Sequence, residues 1–389
     1  MIKIIVLVLI SGLTLVTGLQ STKACPCQPE SLCRPVNVGN RPEVIGFTVY
    51  QNAWLHYNWT YLTTLVLDEV QLKNVDPHLL CYAHARNVRL LALVQFPEAA
   101  IENETLQQSW TVETIQMVAD KHLDGINIDT EKYYPINSLK AKKHVDFINR
   151  TTIAFHAIFP GSLVTYDAGY IDNCEQNSCS DSITIASVVD FIMTMNYDEN
   201  GRKYAYSNSP YYNTVKGIKS YLNAGINPQK LVVIQPWYGY DYKCIIPPGA
   251  DYCIIKEDSA LASTNNATKP KRRISKFPFI IPSDDWKVDP NQASITYGAI
   301  CNRLRNHNNT RKWNPVTKTP YFNYKRNTGE IHQVCYDDAE SMRLKSDYIF
   351  SMKIRGIGVW TVDFTDYTNF PKESAALWQS LTFGLEKMP

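Results

Sequence analysis

Short runs of apolar, mostly β-branched residues recur along this chain, separated by stretches whose apolar residues fall at helical spacing. The runs are Val44 to Tyr50, Thr63 to Leu67, Val88 to Val94, Leu123 to Glu131, Ser162 to Asp167, Val189 to Tyr197, Leu231 to Trp237 and Gly356 to Val362. Most are nearly continuous in apolar character, the pattern of strands covered on both faces. Thr111 to His122 and Ser138 to Phe155 repeat their apolar residues at helical intervals. Strand-helix alternation predicts an α/β fold with a parallel sheet, and eight units fit a closed TIM (β/α)8 barrel. A doubly wound open sheet is the alternative at this level. However, no Gly-x-Gly-x-x-Gly follows an early strand, and the chain has no Walker-type phosphate loop.

The seventh and eighth runs are far apart in sequence. The residues between them include Pro-rich turns and a hairpin pattern: Tyr321 to Arg326, Asn327-Thr328-Gly329, then Glu330 to Val334. This predicts a small antiparallel subdomain inserted between strands 7 and 8. The expected division is 1–24 signal peptide, 25–240 and 336–385 barrel, and 241–335 insertion.

The chain has 389 residues and a formal net charge of +2, so no nucleic-acid partner is expected. Lys269 to Arg273 is a short basic run that reads as a solvated loop. Ile4 to Val16, after Lys3, reads as the core of a signal peptide cleaved between Gly18 and Ala24. A retained anchor is the alternative, but the run is short of the roughly 20 apolar residues a spanning helix needs. No membrane association is expected after cleavage. Ten cysteines behind a signal peptide suggest disulfides rather than metal ligands. Cys174 with Cys179 and Cys244 with Cys253 would close short loops. Asn58, Asn103, Asn149, Asn266 and Asn308 each begin an Asn-x-Thr sequon, which agrees with secretion. The histidines show no metal-ligand cluster, and no metal or other cofactor is expected.

The most informative stretch is Leu123-Asp124-Gly125-Ile126-Asn127-Ile128-Asp129-Thr130-Glu131. Read as a strand, it puts Asn127, Asp129 and Glu131 on one face and Ile126, Ile128 and Thr130 on the other. Solvated charges at a strand end would explain a lone Asp-x-Glu. The whole pattern is more specific, because burying carboxylates without partners is costly. Asp124 has the opposite parity and reads as structural, hydrogen-bonding backbone near the site.

This stretch resembles the Asp-x-x-Asp-x-Asp-x-Glu signature of family-18 glycoside hydrolases, with Asn127 in place of the middle Asp. That wording resembles the chitobiase branch of the family. Further segments agree: Met195 to Asp198, Pro236 to Tyr242, Tyr336-Asp337-Asp338 with Ser341 and Lys345, Gly356 to Trp360, Cys25-Pro26-Cys27, and Leu32 to Pro35. The resemblance covers about Cys25 to Trp378. It implies substrate-assisted, retaining hydrolysis of a GlcNAc-β1,4-GlcNAc linkage. Glu131 would be the acid and base, Asp129 would hold the substrate acetamido nitrogen, and Tyr197 would donate to its oxygen. Asp198 would contact the same sugar. Asn127 would favour Asp129 as an anion by donating a hydrogen bond without adding charge. Trp360 reads as an aromatic floor or a core tryptophan, and Trp237 and Tyr238 as cleft or core. Cys335 stands where relatives usually have Trp; a disulfide with Cys301 is one expectation.

The implied partner is an N-acetylglucosamine oligosaccharide, the implied setting lysosomal glycoprotein catabolism, and a monomer is expected. A secreted chitinase is the first rival and a sugar-binding lectin the second; the intact Glu131 argues against the lectin.

Overall fold

The computed structural model describes residues 21–39, 41–73, 75–130, 134–135, 137–171, 182–199, 203–249, 253–255, 292–306 and 309–387. Its strands are β1 (Glu43–Thr48), β2 (Thr64–Leu67), β3 (Arg89–Val94), β4 (Gly125–Ile128), β5 (Leu163–Gly169), β6 (Phe191–Met195), β7 (Leu231–Pro236), β8 (Tyr238–Ile245), β9 (Ile254–Ile255), β10 (Gln292–Thr296), β11 (Lys312–Asn314), β12 (Thr319–Lys325), β13 (Ile331–Cys335) and β14 (Gly356–Trp360). The helices are α1 (Glu69–Lys73), α2 (Pro77–His84), α3 (Glu104–Lys121), α4 (Leu139–Ile158), α5 (Ser182–Val188), α6 (Tyr211–Asn223), α7 (Tyr297–Asn306), α8 (Ala339–Ser351) and α9 (Pro371–Leu381).

Strands β1 to β7 and β14 close into a parallel barrel in the order β1-β14-β7-β6-β5-β4-β3-β2. Alternation separates two apolar layers. Ile45, Phe47, Leu91, Leu93, Phe191, Met193, Val232 and Ile234 belong to the cluster that fills the barrel. Their outward neighbours, such as Val44, Leu90, Ile126, Ile128, Ile192 and Val233, pack in the layer beneath the helices. This is the side-chain filling expected of such a barrel.

Between β7 and β14, strands β8 to β13 form a second, antiparallel sheet in the order β10-β8-β13-β12-β11, with β9 pairing β8. It begins at Tyr238, three residues before the expected boundary, because only Trp237 separates β7 from β8. The Cys244–Cys253 disulfide closes the turn between β8 and β9.

Disulfide Cys25–Cys33 closes a loop within the N-terminal segment, and Cys27–Cys81 ties that segment to α2. Asp124 completes this fastening, accepting hydrogen bonds from Val36 N (2.6 Å) and Leu90 N (2.6 Å). His84 lies between the Leu32 carbonyl (2.6 Å, Nδ1) and the Asp124 carboxylate (2.9 Å, Nε2). Both neighbours accept, so only the doubly protonated ring can donate to each. Burial opposes that charge, but the Asp124 carboxylate and the Leu32 carbonyl outweigh it and raise the His84 pKa.

The linkage sign follows: a raised folded pKa gives stability fully present below the unfolded value of about 6.5 and lost as pH rises through the higher folded value. Each unit of elevation contributes about 1.4 kcal/mol. Urea unfolding of wild type and His84→Phe at pH 5.5 and 8.5 should show wild type losing more stability with rising pH. Parallel losses in both proteins would remove His84 as the source.

Candidate active site

β4 is shorter than its sequence pattern suggested and ends at Ile128. Asp129 N still donates to Val94 O, so the strand direction persists one residue further. Asn127 pairs with Leu93, which faces the barrel interior, and Asp129 shares its parity. Both therefore rise on the inner face toward the carboxyl end, where such barrels carry their chemistry. Glu131 lies outside the described residues.

Asp129 is half-buried, and desolvation of its carboxylate raises its pKa. A hydrogen bond from Gln95 Nε2 to Oδ2 (3.1 Å) opposes the rise, and repulsion from Asp68 adds to it. Oδ1 is buried with no hydrogen-bond partner among the described residues. An acceptor left in this state is costly unless a donor arrives with the ligand.

Asn127 does not support Asp129 as expected. Its Nδ2 donates to Asp167 Oδ2 on β5 (2.7 Å), and its Oδ1 accepts from Thr165 Oγ1 (2.7 Å). The bonds run across to the neighbouring strand because Asn127, Thr165 and Asp167 all face inward. The raised pKa of Asp129 also departs from the anion-favouring role assigned to Asn127.

β6 delivers the next group. Tyr197 follows the inward parity of Phe191 and Met193 and packs against both apolar layers. Asp198 adopts a left-handed backbone (φ 64°), a region Asp tolerates better than most residues. This conformation lets Asn208 Oδ1 accept from Asp198 N (2.8 Å), while Asn208 Nδ2 donates to Tyr238 O (3.0 Å). The Asp198 carboxylate accepts hydrogen bonds from the hydroxyls of Tyr238 and Tyr240 (2.5 Å for the latter). Burial and the nearby Asp198 charge push the Tyr238 pKa well up, which keeps it a neutral donor. Tyr197 and Tyr238 meet edge to face, with ring centroids 6.1 Å apart.

Trp360 ends β14 half-buried, with its ring 5.4 Å from Phe47. Asp363 follows and accepts from Val49 N, Tyr50 N (3.0 Å) and Thr48 Oγ1 (2.8 Å), joining the ends of β14 and β1. Burial pushes its pKa up to about 6.

Several expected residues stand elsewhere. Trp237 is fully buried, edge-on against Trp378 of α9 with centroids 5.1 Å apart. Val232 and Ile234 face inward, so Trp237 takes the outward parity and leaves the cleft. Asp124 is structural but sits just before the amino end of β4, the opposite end from Asp129. Cys301 and Cys335 are buried free thiols rather than a pair. Burial pushes the Cys301 thiol up to about 12, which favours its protonated form at ordinary pH. Cys174 and Cys179 lie outside the described residues, as do Asn266 and Asn308. Asn58 is half-buried, Asn103 caps α3 through Leu106 N (3.1 Å), and Asn149 sits half-buried within α4. No described helix is long and apolar enough to cross a membrane.

Gln95, Asp167, Asn208 and Tyr240 were not singled out from sequence. Asp167 carried the one available signal: it lies near the end of β5 on the same parity as Leu163 and Thr165, much as Asp129 follows β4.

The family model described as "Glycosyl hydrolases family 18" matches residues 95–365. A di-N-acetylchitobiase of Rattus norvegicus is 32% identical over 354 residues, covering 90% of this chain and 89% of that protein. The Homo sapiens di-N-acetylchitobiase is 30% identical over 365 residues, covering 92% and 88%. The crystal structure of Ostrinia furnacalis Group IV chitinase in complex with allosamidin superposes with a TM-score of 0.69 at 16% identity, over 90% of this chain and all of that one. The last likeness concerns the fold; the family match and the two relatives, spanning most of both chains, establish that this chain belongs to the family-18 glycoside hydrolases.

Proposed function

We propose that this glycoside hydrolase cleaves the GlcNAc-β1,4-GlcNAc linkage of chitobiose and short chitooligosaccharides, with the substrate's 2-acetamido group as nucleophile. The observation that carries the reading is the buried, unpartnered Oδ1 of Asp129. An acetamido N–H is the donor that this oxygen lacks. Glu131 protonates the glycosidic oxygen, and the acetamido oxygen attacks the anomeric carbon to form an oxazolinium ion. Asp129 stabilises that ion's charge as an anion, and its raised pKa in the empty site falls when the cation forms. Glu131 then takes a proton from the incoming water. Tyr197 orients the acetamido oxygen, Asp198 with Tyr238 holds the same sugar, and Trp360 offers a flat apolar face to it. The resemblance to di-N-acetylchitobiases supports the disaccharide over the polymer as substrate. The proposed setting is glycoprotein breakdown in the lysosome, reached through the signal peptide and sequons.

A fluorogenic chitobioside incubated at acidic pH should release its fluorophore. Replacing the N-acetyl group of the non-reducing sugar by an amine or hydroxyl should nearly abolish hydrolysis, and NMR should show the β-anomer first. A trapped glycosyl-enzyme ester, or an α-anomer as first product, would overturn the mechanism. Preference for long chitin chains over the disaccharide would instead favour the chitinase reading.

A further inference from the structure

The carboxylate-bearing inner face of β4 and β5 contains one bond whose direction is fixed. Asp167 Oδ2 accepts from Asn127 Nδ2 (2.7 Å), so the Asn127 amide turns its NH2 group toward β5. Its carbonyl oxygen then meets the Thr165 hydroxyl, which donates to it (2.7 Å). The bond to Asp167 is 2.7 Å long, between two buried side chains. Asn127 and Asp129 share a face and stand two residues apart, close enough for an amide and a carboxylate to bridge. No such bridge is present. Asp167 therefore sets the side on which Asn127 donates.

We infer that Asp167 is a positioning residue that acts through Asn127 to keep Asp129 Oδ1 open for the sugar's amide. The inference rests on the role given to Asp129 above. With a neutral amide at position 167, Asn127 has no charge to hold its NH2 group on β5. It turns to the carboxylate on its own strand and occupies the acceptor that the acetamido N–H requires. In this way a residue that never touches the reacting atoms governs how well the nucleophile is held.

Three proteins test this: wild type, Asp167→Asn, and the exchange Asn127→Asp with Asp167→Asn. Each is measured for kcat, KM, pH profile and affinity for a chitobiose thiazoline. Losing a hydrogen bond to a charged partner corresponds to about 10–100-fold. Asp167→Asn should lose roughly that factor in kcat/KM and weaken thiazoline binding alike. The exchange places a carboxylate at position 127, which when ionised cannot donate to Asp129. Activity should largely return, and the acid limb of the profile should move to higher pH, because a charge now stands two residues from Asp129. A structural role for Asp167 would weaken binding of sugars with and without the acetamido group alike, whereas the positioning role weakens only those that carry it.

Asp167→Asn within twofold of wild type in thiazoline affinity and kcat/KM would overturn the inference. So would a folded exchange variant no more active than Asp167→Asn. If Asp167→Asn does not fold, the exchange variant is judged against wild type: kcat/KM within about 10-fold is expected, and a loss of roughly 100-fold overturns the inference. A wild type inactive on the chitobioside overturns this inference together with the proposed function. An active wild type that is silenced by Glu131→Gln but indifferent to Asp167→Asn overturns this inference only.

Discussion

Glu131→Gln should fold, bind chitobiose thiazoline about as tightly as wild type, and hydrolyse chitobioside roughly 10²–10⁴-fold more slowly. Gln is close to Glu in shape but can neither give up a proton to the leaving oxygen nor take one from water. The acetamido nucleophile and Asp129 remain, so the residual rate should still require the N-acetyl group. The loss should appear in kcat rather than KM, the signature of an interaction made in the transition state. The limb of the pH profile belonging to the general acid should disappear with the carboxyl. Calorimetric titration with the thiazoline, beside stopped-assay kinetics, separates binding from turnover. A folded variant with near wild-type kcat would remove Glu131 from the chemistry.

The largest expected effect on stability lies away from the site. Lys345 Nζ and Asp337 Oδ1 are 2.6 Å apart, both side chains fully buried. Asp337 Oδ1 also accepts from Ser341 Oγ (2.7 Å), and the neighbouring Asp338 caps α8 through Glu340 N (3.0 Å). Burial pushes the Lys345 pKa down and the Asp337 pKa up, and the pairing opposes both. Removing one charge leaves the other desolvated and alone. Lys345→Met should therefore cost about 3–5 kcal/mol, whereas Asp337→Asn with Lys345→Met should cost much less. Urea midpoints at unchanged m-value read both, and the double-mutant cycle gives the coupling. A loss below about 1 kcal/mol in Lys345→Met would mean that water reaches the pair.

What could be read from sequence followed periodicity. The barrel strands were legible because near-continuous β-branched runs such as Leu231 to Ile234 have few alternatives to burial on both faces. Asp129 was legible because two-residue alternation on β4 needs no tertiary information. Asp167 and Gln95 were missed because their importance depends on which strands stand beside β4, and parallel register is set by neighbours distant in sequence. Trp237 stayed open between cleft and core for a related reason. The aromatic run Trp237-Tyr238-Gly239-Tyr240 crosses from one sheet to another, and parity carried along it does not reveal where the crossing falls. Asn127 was placed on the right face, but its partner was assigned along the strand instead of across it. Cys301 and Cys335 were open to pairing because cysteine count alone cannot report the separation of α7 from β13.

The antiparallel sheet is a long excursion in sequence, yet it cannot be treated as an exchangeable cassette. Its first strand supplies both tyrosine hydroxyls that hold Asp198, and Asn208 clasps the backbones of both sides. A chimera that swapped the sheet for another family member's would thus replace both hydroxyls that hold Asp198. Changes in the insertion reach a residue at the end of a barrel strand through two hydroxyls, without any substitution in the barrel.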